Sequence, residues 1–140
     1  MSFVLDASLT LAWYFDDETT PATDEVLERL TEEGAVVPAL WRLEVGNALQ
    51  MAVRRQRIDA TYRDNALAEL AAMPITIDAE TSARAWTTTL RLSERFALTL
   101  YDAAYLELAQ RLDLALATLD GELRAAGRSL GIPLLGAVQR

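Results

Sequence analysis

The chain has 140 residues, 51% of them hydrophobic, and carries 21 acidic against 13 basic residues for a formal net charge of −8. It has no cysteine and no histidine, which excludes disulfides, thiolate-bound metals, cysteine nucleophiles and imidazole acid–base catalysis. Every basic residue is arginine, so a lysine-dependent phosphate loop and Schiff-base chemistry are excluded too. Carboxylate, hydroxyl, amide and guanidinium remain, and carboxylates gathered around a hard divalent cation are the most direct use of that set. The acidity argues against a broad nucleic-acid surface. Acids converging on one pocket would instead concentrate the charge where a bound cation neutralises it. An acidic surface that simply keeps the domain soluble is the other reading.

The length suits one domain over residues 1–140 with one core. The opening residues, Met-Ser-Phe-Val-Leu-Asp-Ala-Ser, lack a basic stretch and a long apolar run. No stretch approaches the roughly 20 apolar residues of a membrane span. A cytoplasmic protein without a membrane segment is expected.

Five short apolar runs, Phe3 to Leu5, Ala35 to Val37, Ile75 to Ile77, Leu114 to Ala117 and Pro133 to Leu135, read as strands, most of them buried on both faces. Helical patterns fill the intervals. Pro21 to Glu33 starts on a proline and stops before Gly34; Leu40 to Arg57 is the longest; Ala60 to Ala72 stops before Pro74. Ala79 to Arg95, Leu100 to Leu112 and a short Gly121 to Ala126, closed by Gly127, complete the series. Such alternation predicts an α/β fold of three layers, with a central, mainly parallel sheet of about five strands covered on both sides.

Ligands of open parallel sheets bind outside the carboxyl ends of the strands. Asp6 directly follows the first strand and Asp120 the fourth, so neighbouring strands would bring both carboxylates to one rim. Each also fits a helix N-cap, Asp6 before a helix beginning near Leu9. Glu44 borders the apolar stripe of the longest helix, with Asn47 on nearly the same face, and fits either a buried ligand or a partly solvated glutamate paired with arginine. Asp102 completes a capping-box spacing with Thr99 yet projects along the line of Leu106 and Ala109 toward the core. Arg54, Arg55 and Arg57 form the densest basic cluster, suited to phosphate contacts or to the negative end of a helix dipole. Leu9, Leu11, Trp13, Tyr14 and Phe15 are concentrated enough for part of a docking groove or for core.

Taken in order, Val4-Leu5-Asp6-Ala7-Ser8, the helical Leu-Glu44-Val-Gly-Asn47-Ala-Leu, Leu-Tyr-Asp102-Ala-Ala-Tyr-Leu-Glu-Leu-Ala and Thr118-Leu-Asp120-Gly-Glu-Leu resemble the PIN-domain family, in particular the VapC-like toxins of prokaryotic toxin–antitoxin pairs. The resemblance runs from Asp6 to the last strand. It implies a parallel sheet with an acidic pocket at the strand ends, with Asp6, Glu44, Asp102 and Asp120 as catalytic metal ligands. Ser8, Asn47 and Thr118 match polar positions around that pocket. It further implies Mg2+, with Mn2+ as a substitute, RNA as substrate, a homodimer, and a small cognate antitoxin whose chain fills a groove and sends a basic side chain into the pocket. Asp102 or Asp120 is the candidate proton acceptor. A catalytically silent binding module and a DNA-directed nuclease of the same metal chemistry are the alternatives. A phosphoacceptor receiver domain, which also gathers aspartates at strand ends, would need a lysine that this chain lacks.

Overall fold

The computed structural model describes residues 2–137. Five strands, β1 (Phe3–Leu5), β2 (Ala35–Val37), β3 (Ile75–Ile77), β4 (Leu116–Ala117) and β5 (Leu134–Leu135), form one sheet in the order β3-β2-β1-β4-β5 with every pairing parallel. The helices flanking it are α1 (Ala7–Ala12), α2 (Pro21–Glu33), α3 (Trp41–Arg54), α4 (Ala60–Ala71), α5 (Thr81–Arg84), α6 (Thr88–Phe96), α7 (Leu100–Leu112) and α8 (Gly121–Ser129). The expected α/β fold is therefore present. β1 lies at the centre, and Phe3, Val4 and Leu5 are wholly buried, as a strand covered on both faces should be. β3 departs from that expectation: it is an edge strand, and Ile77 is exposed.

Local chemistry accounts for most boundaries. Thr20 and Thr23 form a reciprocal capping box at the start of α2, with Pro21 in the first turn. Gly34 ends α2 at φ 75°, where an added Cβ would stand 3.1 Å from the Pro74 carbonyl oxygen, and Ala35 N–H donates to that same oxygen at 3.0 Å. Glycine thus lets the chain turn straight from α2 into the β2–β3 pairing. Thr99 caps α7 by accepting from Asp102 N–H at 3.1 Å.

Several helix boundaries differ from expectation, α1 starting at Ala7 and not near Leu9. The single helix over Ala79 to Arg95 is broken into α5 and α6. Thr87, Thr88 and Thr89 sit at the break, and Thr87 Oγ1 donates to the Arg84 carbonyl at 3.3 Å, offering the backbone an alternative to the helical ladder. The last helix runs past Gly127 to Ser129. A Cβ at Gly127 would stand 3.0 Å from Leu134 Cδ2, so that glycine serves the close approach of α8 to β5 and not a helix end. α3 also stops at Arg54, leaving Arg55 as its C-cap and Arg57 beyond it.

α7 is buried continuously from Ala103 to Ala109. At its last turn Arg111 pairs with Asp78 at 2.6 Å and with the buried Glu107 at 2.7 Å, tying α7 to the segment after β3. Burial opposes the charge of Asp78, but hydrogen bonding and charge from Arg111, with support from Glu80 N–H and Thr81, outweigh it and hold that carboxyl below its usual range. The first turn of α7 thus projects from a helix fixed along its length.

Candidate metal centre

The chain lays down β1, β2 and β3 to one side and returns with β4 on the other side of β1, so the sheet has its switch point between β1 and β4. Crevices form there because the connections leave in opposite directions. Asp6 follows β1, Asp120 lies just past β4, and Asp6 N–H donates to the Ala117 carbonyl at 2.9 Å, tying the two strand ends.

Asp6 occupies the N-cap position of α1 but makes no capping hydrogen bond with its side chain. Its Oδ2 instead accepts from Ser8 Oγ at 2.6 Å and from Thr118 Oγ1 at 2.7 Å. Each hydroxyl is oriented from behind, since Ser8 Oγ accepts from Leu119 N–H and Thr118 Oγ1 from Asp120 N–H, both at 3.1 Å. A hydroxyl has one proton, and occupying its lone pairs with N–H donors leaves that proton for the carboxylate. Both hydroxyl donors converge on Oδ2, leaving Oδ1 without a side-chain donor. The backbone of Asp6 is held as well: Trp41 Nε1 donates to Thr10 Oγ1, which donates to the Asp6 carbonyl at 3.0 Å.

Glu44 lies in the first turn of α3 and is half-buried. It pairs with no arginine among the described residues; its Oε1 accepts from the hydroxyl of Tyr105, a wholly buried side chain on α7. Asp102 is half-buried one helical turn before Tyr105. Asp120 caps α8, with Oδ1 accepting from Leu123 N–H at 2.9 Å. Its capping reading therefore holds, and it leaves one oxygen over.

The electrostatics show these acids facing one another. Burial raises the pKa of Asp6 despite the opposing bonds from Ser8, Thr118 and Ala7 N–H, and Asp120 raises it further. Burial also raises Glu44, against the Tyr105 bond, with added repulsion from Asp6 and Asp102. For Asp102, burial leads, Asp120 and Asp6 reinforce it, Thr99 opposes it, and Glu122 contributes a fifth negative charge. Among the described residues none of the four acids has an arginine in ion-pair range. Converging carboxylates raised by burial and mutual repulsion, with no internal counter-charge, fit a hard divalent cation. Among the described residues no three acids stand close enough to enclose an ion by themselves.

Of the other expected positions, Ser8 and Thr118 are in direct contact with Asp6, whereas Asn47 is exposed and its side chain makes no hydrogen bond among the described residues. Arg54, Arg55 and Arg57 are exposed at the far end of α3, about 15 Å along the axis from Glu44 at 1.5 Å per residue. Arg57 is engaged there by Asp17 at 3.3 Å and by the Phe15 ring. Leu9 and Phe15 are core, while Leu11, Trp13 and Tyr14 are half-buried against it. Two contributors escaped sequence reasoning. Tyr105 sits in a run that reads as apolar core, and its only signal is the i,i+3 spacing from Asp102. Arg124 is buried beneath the β4 end, donating to the carbonyls of Thr118 at 2.8 Å and Leu135 at 3.0 Å, and an isolated arginine on a short helix carries no sequence signal for that.

Fold and site together define a parallel α/β domain with an acidic, all-oxygen pocket at its topological switch point. The chain belongs to the PIN domain family, whose model matches residues 3–129, and this is generally a family of metal-dependent nucleases. Among solved structures it is similar to the crystal structure of PAE2754 from Pyrobaculum aerophilum, at 26% identity and a TM-score of 0.70, over 96% of this chain and 83% of that one. No curated protein matches it by sequence.

Proposed function

We propose that this PIN domain is a Mg2+-dependent endoribonuclease acting as the toxin of a toxin–antitoxin pair. What supports the nuclease reading is that Asp6 and Asp120 follow the two strands of one switch point and that Glu44 and Asp102 lie within electrostatic reach of them, without a cationic partner among the described residues.

The four acids would hold Mg2+, or Mn2+ in its place. When bound, the ion supplies positive charge against the scissile phosphate and eases loss of a proton from the attacking water. Asp6, clamped at Oδ2 by two hydroxyls, presents Oδ1 in one orientation. Asp102 is the better proton acceptor of the two candidates, because Asp120 has one oxygen committed to Leu123 N–H whereas Asp102 is only half-buried and has no such backbone donor on its carboxylate among the described hydrogen bonds. The new phosphorus–oxygen bond to water forms as the ester bond breaks. The water's proton passes to Asp102, and the departing alkoxide takes one from solvent.

The toxin and partner readings rest on the sequence resemblance. A small cognate antitoxin placing a basic side chain among the four acids would supply the counter-charge the pocket lacks. Leu43, 78% exposed, and Tyr101, 66% exposed, are the chain neighbours of Glu44 and Asp102, and such apolar side chains suit a surface that a partner or a second copy covers.

The test is cleavage of RNA and of DNA of matched sequence in Mg2+ by wild-type and Asp6→Asn protein. Expected is cutting of RNA alone by the wild type and a loss of at least about a thousandfold in the variant, the scale of losing a preorganised electrostatic contact at the reacting phosphate. Cutting at the wild-type rate by Asp6→Asn would sink the assignment. Equal cutting of DNA would move the substrate, and no cutting by the wild type would favour the silent module. For the toxin role, induced expression should arrest growth, and co-expression of a small protein encoded beside its gene should relieve the arrest.

A further inference from the structure

Tyr105 is wholly buried on α7, and a phenol taken out of water needs a hydrogen-bond partner. Here the partner is Glu44 Oε1, 61 residues away on α3. Asp102 lies three residues before Tyr105, so α7 delivers one acid to the pocket and grips a second. The arrangement parallels Asp6: a hydroxyl ties one carboxylate oxygen and leaves the other without a side-chain donor. Glu44 needs such a tie more than Asp6 does. It is the longest of the four acids, it has no arginine among the described residues, and Asp6 and Asp102 both repel it. Without a donor behind it, its carboxylate would swing outward from the rim.

We infer that Tyr105 is the positioning residue for Glu44, its buried hydroxyl holding that carboxylate at the pocket and so setting the site's affinity for divalent cations. The inference rests on the metal-dependent reading proposed above. It concerns the hydroxyl alone, because the ring belongs to the core whatever the pocket binds.

The experiment is Mn2+ binding to the whole chain, by calorimetry and by the electron paramagnetic resonance of free Mn2+, for wild type, Tyr105→Phe, Glu44→Gln and the double variant. Phe keeps the ring in place and removes one oxygen, and the unfolding transition by circular dichroism confirms that each variant is folded. Tyr105→Phe should weaken Mn2+ binding about tenfold, the usual effect of deleting a group that orients a ligand. Introduced into Glu44→Gln, the same change should weaken it much less, since the amide that the hydroxyl still orients is a poor ligand for a hard cation. Unchanged Mn2+ affinity in Tyr105→Phe, or an equal loss in both backgrounds, would show a packing role only and overturn the inference. Wild-type protein that bound no Mn2+ would overturn the metal-dependent reading itself, and this inference with it.

Discussion

At Asp6 one residue bears two conflicting demands. The residue is 5% exposed, which disfavours charge, yet Ser8 and Thr118 aim both their protons at its carboxylate, which favours charge. Burial prevails, and Asp6, Glu44 and Asp102 all titrate above their ordinary range. Between the unfolded carboxylate value near 4 and those raised values, the folded chain binds more protons than the unfolded one, so its stability falls as pH rises. The stability these groups contribute is complete below about pH 4 and is lost as pH climbs through their folded pKa values. Asp78 works in the opposite sense, since its lowered pKa contributes stability above the ordinary range that is lost as pH falls through the folded value. Urea unfolding of metal-free protein should therefore give a stability that declines as pH rises above the ordinary carboxylate range, and Asp6→Asn should flatten that decline. A wild-type profile rising over the same interval would contradict the raised values. Legibility in the sequence follows the same chemistry: Asp6 and Asp120 stand out because each lies just past an apolar strand. Glu44 and Asp102 lie inside helices, where spacing alone admits other readings, and family resemblance singled them out. Tyr105 stayed hidden because a tyrosine amid alanines and leucines reads as core until its hydroxyl's partner is seen.

Among the elements, α2 and α7 begin alike and differ in what their caps support. Thr20 caps α2 by accepting from Thr23 N–H at 3.1 Å, and Thr99 caps α7 by accepting from Asp102 N–H at the same distance. Loss of either cap costs about 1 kcal/mol. Thr20→Ala and Thr99→Ala should thus lower the urea midpoint by similar amounts. Only Thr99→Ala should also depress RNA cleavage, because the amide it releases belongs to Asp102 and its hydroxyl helps to hold that carboxylate ionised. Equal activity in the two variants would show that the first turn of α7 is set by packing alone. Element boundaries were readable where the signal is local, as with Pro21 and Gly34 around α2. They are not readable where the deciding contact lies outside the apolar pattern. Gly127 looks like a helix stop, but it is small because Leu134 presses against it across the α8–β5 contact. The threonines that split α5 from α6 look helical by apolar periodicity, which carries no information on a side chain competing for the backbone.

Over the whole molecule, a formal charge of −8 would make a compact chain repel itself, and the four acids concentrate that repulsion at one edge of the sheet. A cation bound there removes a local penalty in the folded state that the unfolded chain, with its acids dispersed, does not share. Mg2+ should therefore stabilise the protein by mass action, about 2.7 kcal/mol at a hundred times its dissociation constant, or roughly 5–11 °C in melting temperature for a chain of this size. Sodium chloride at equal ionic strength screens charge everywhere and should achieve only part of that, because close, partly buried charges are screened least. Asp6→Asn separates the two effects. With one carboxylate neutralised, the metal-free variant should melt above the metal-free wild type while gaining little from Mg2+. Should Mg2+ raise both proteins equally, the ion would be acting on surface charge at large, and the four acids would be a strained feature of the fold without a ligand of their own.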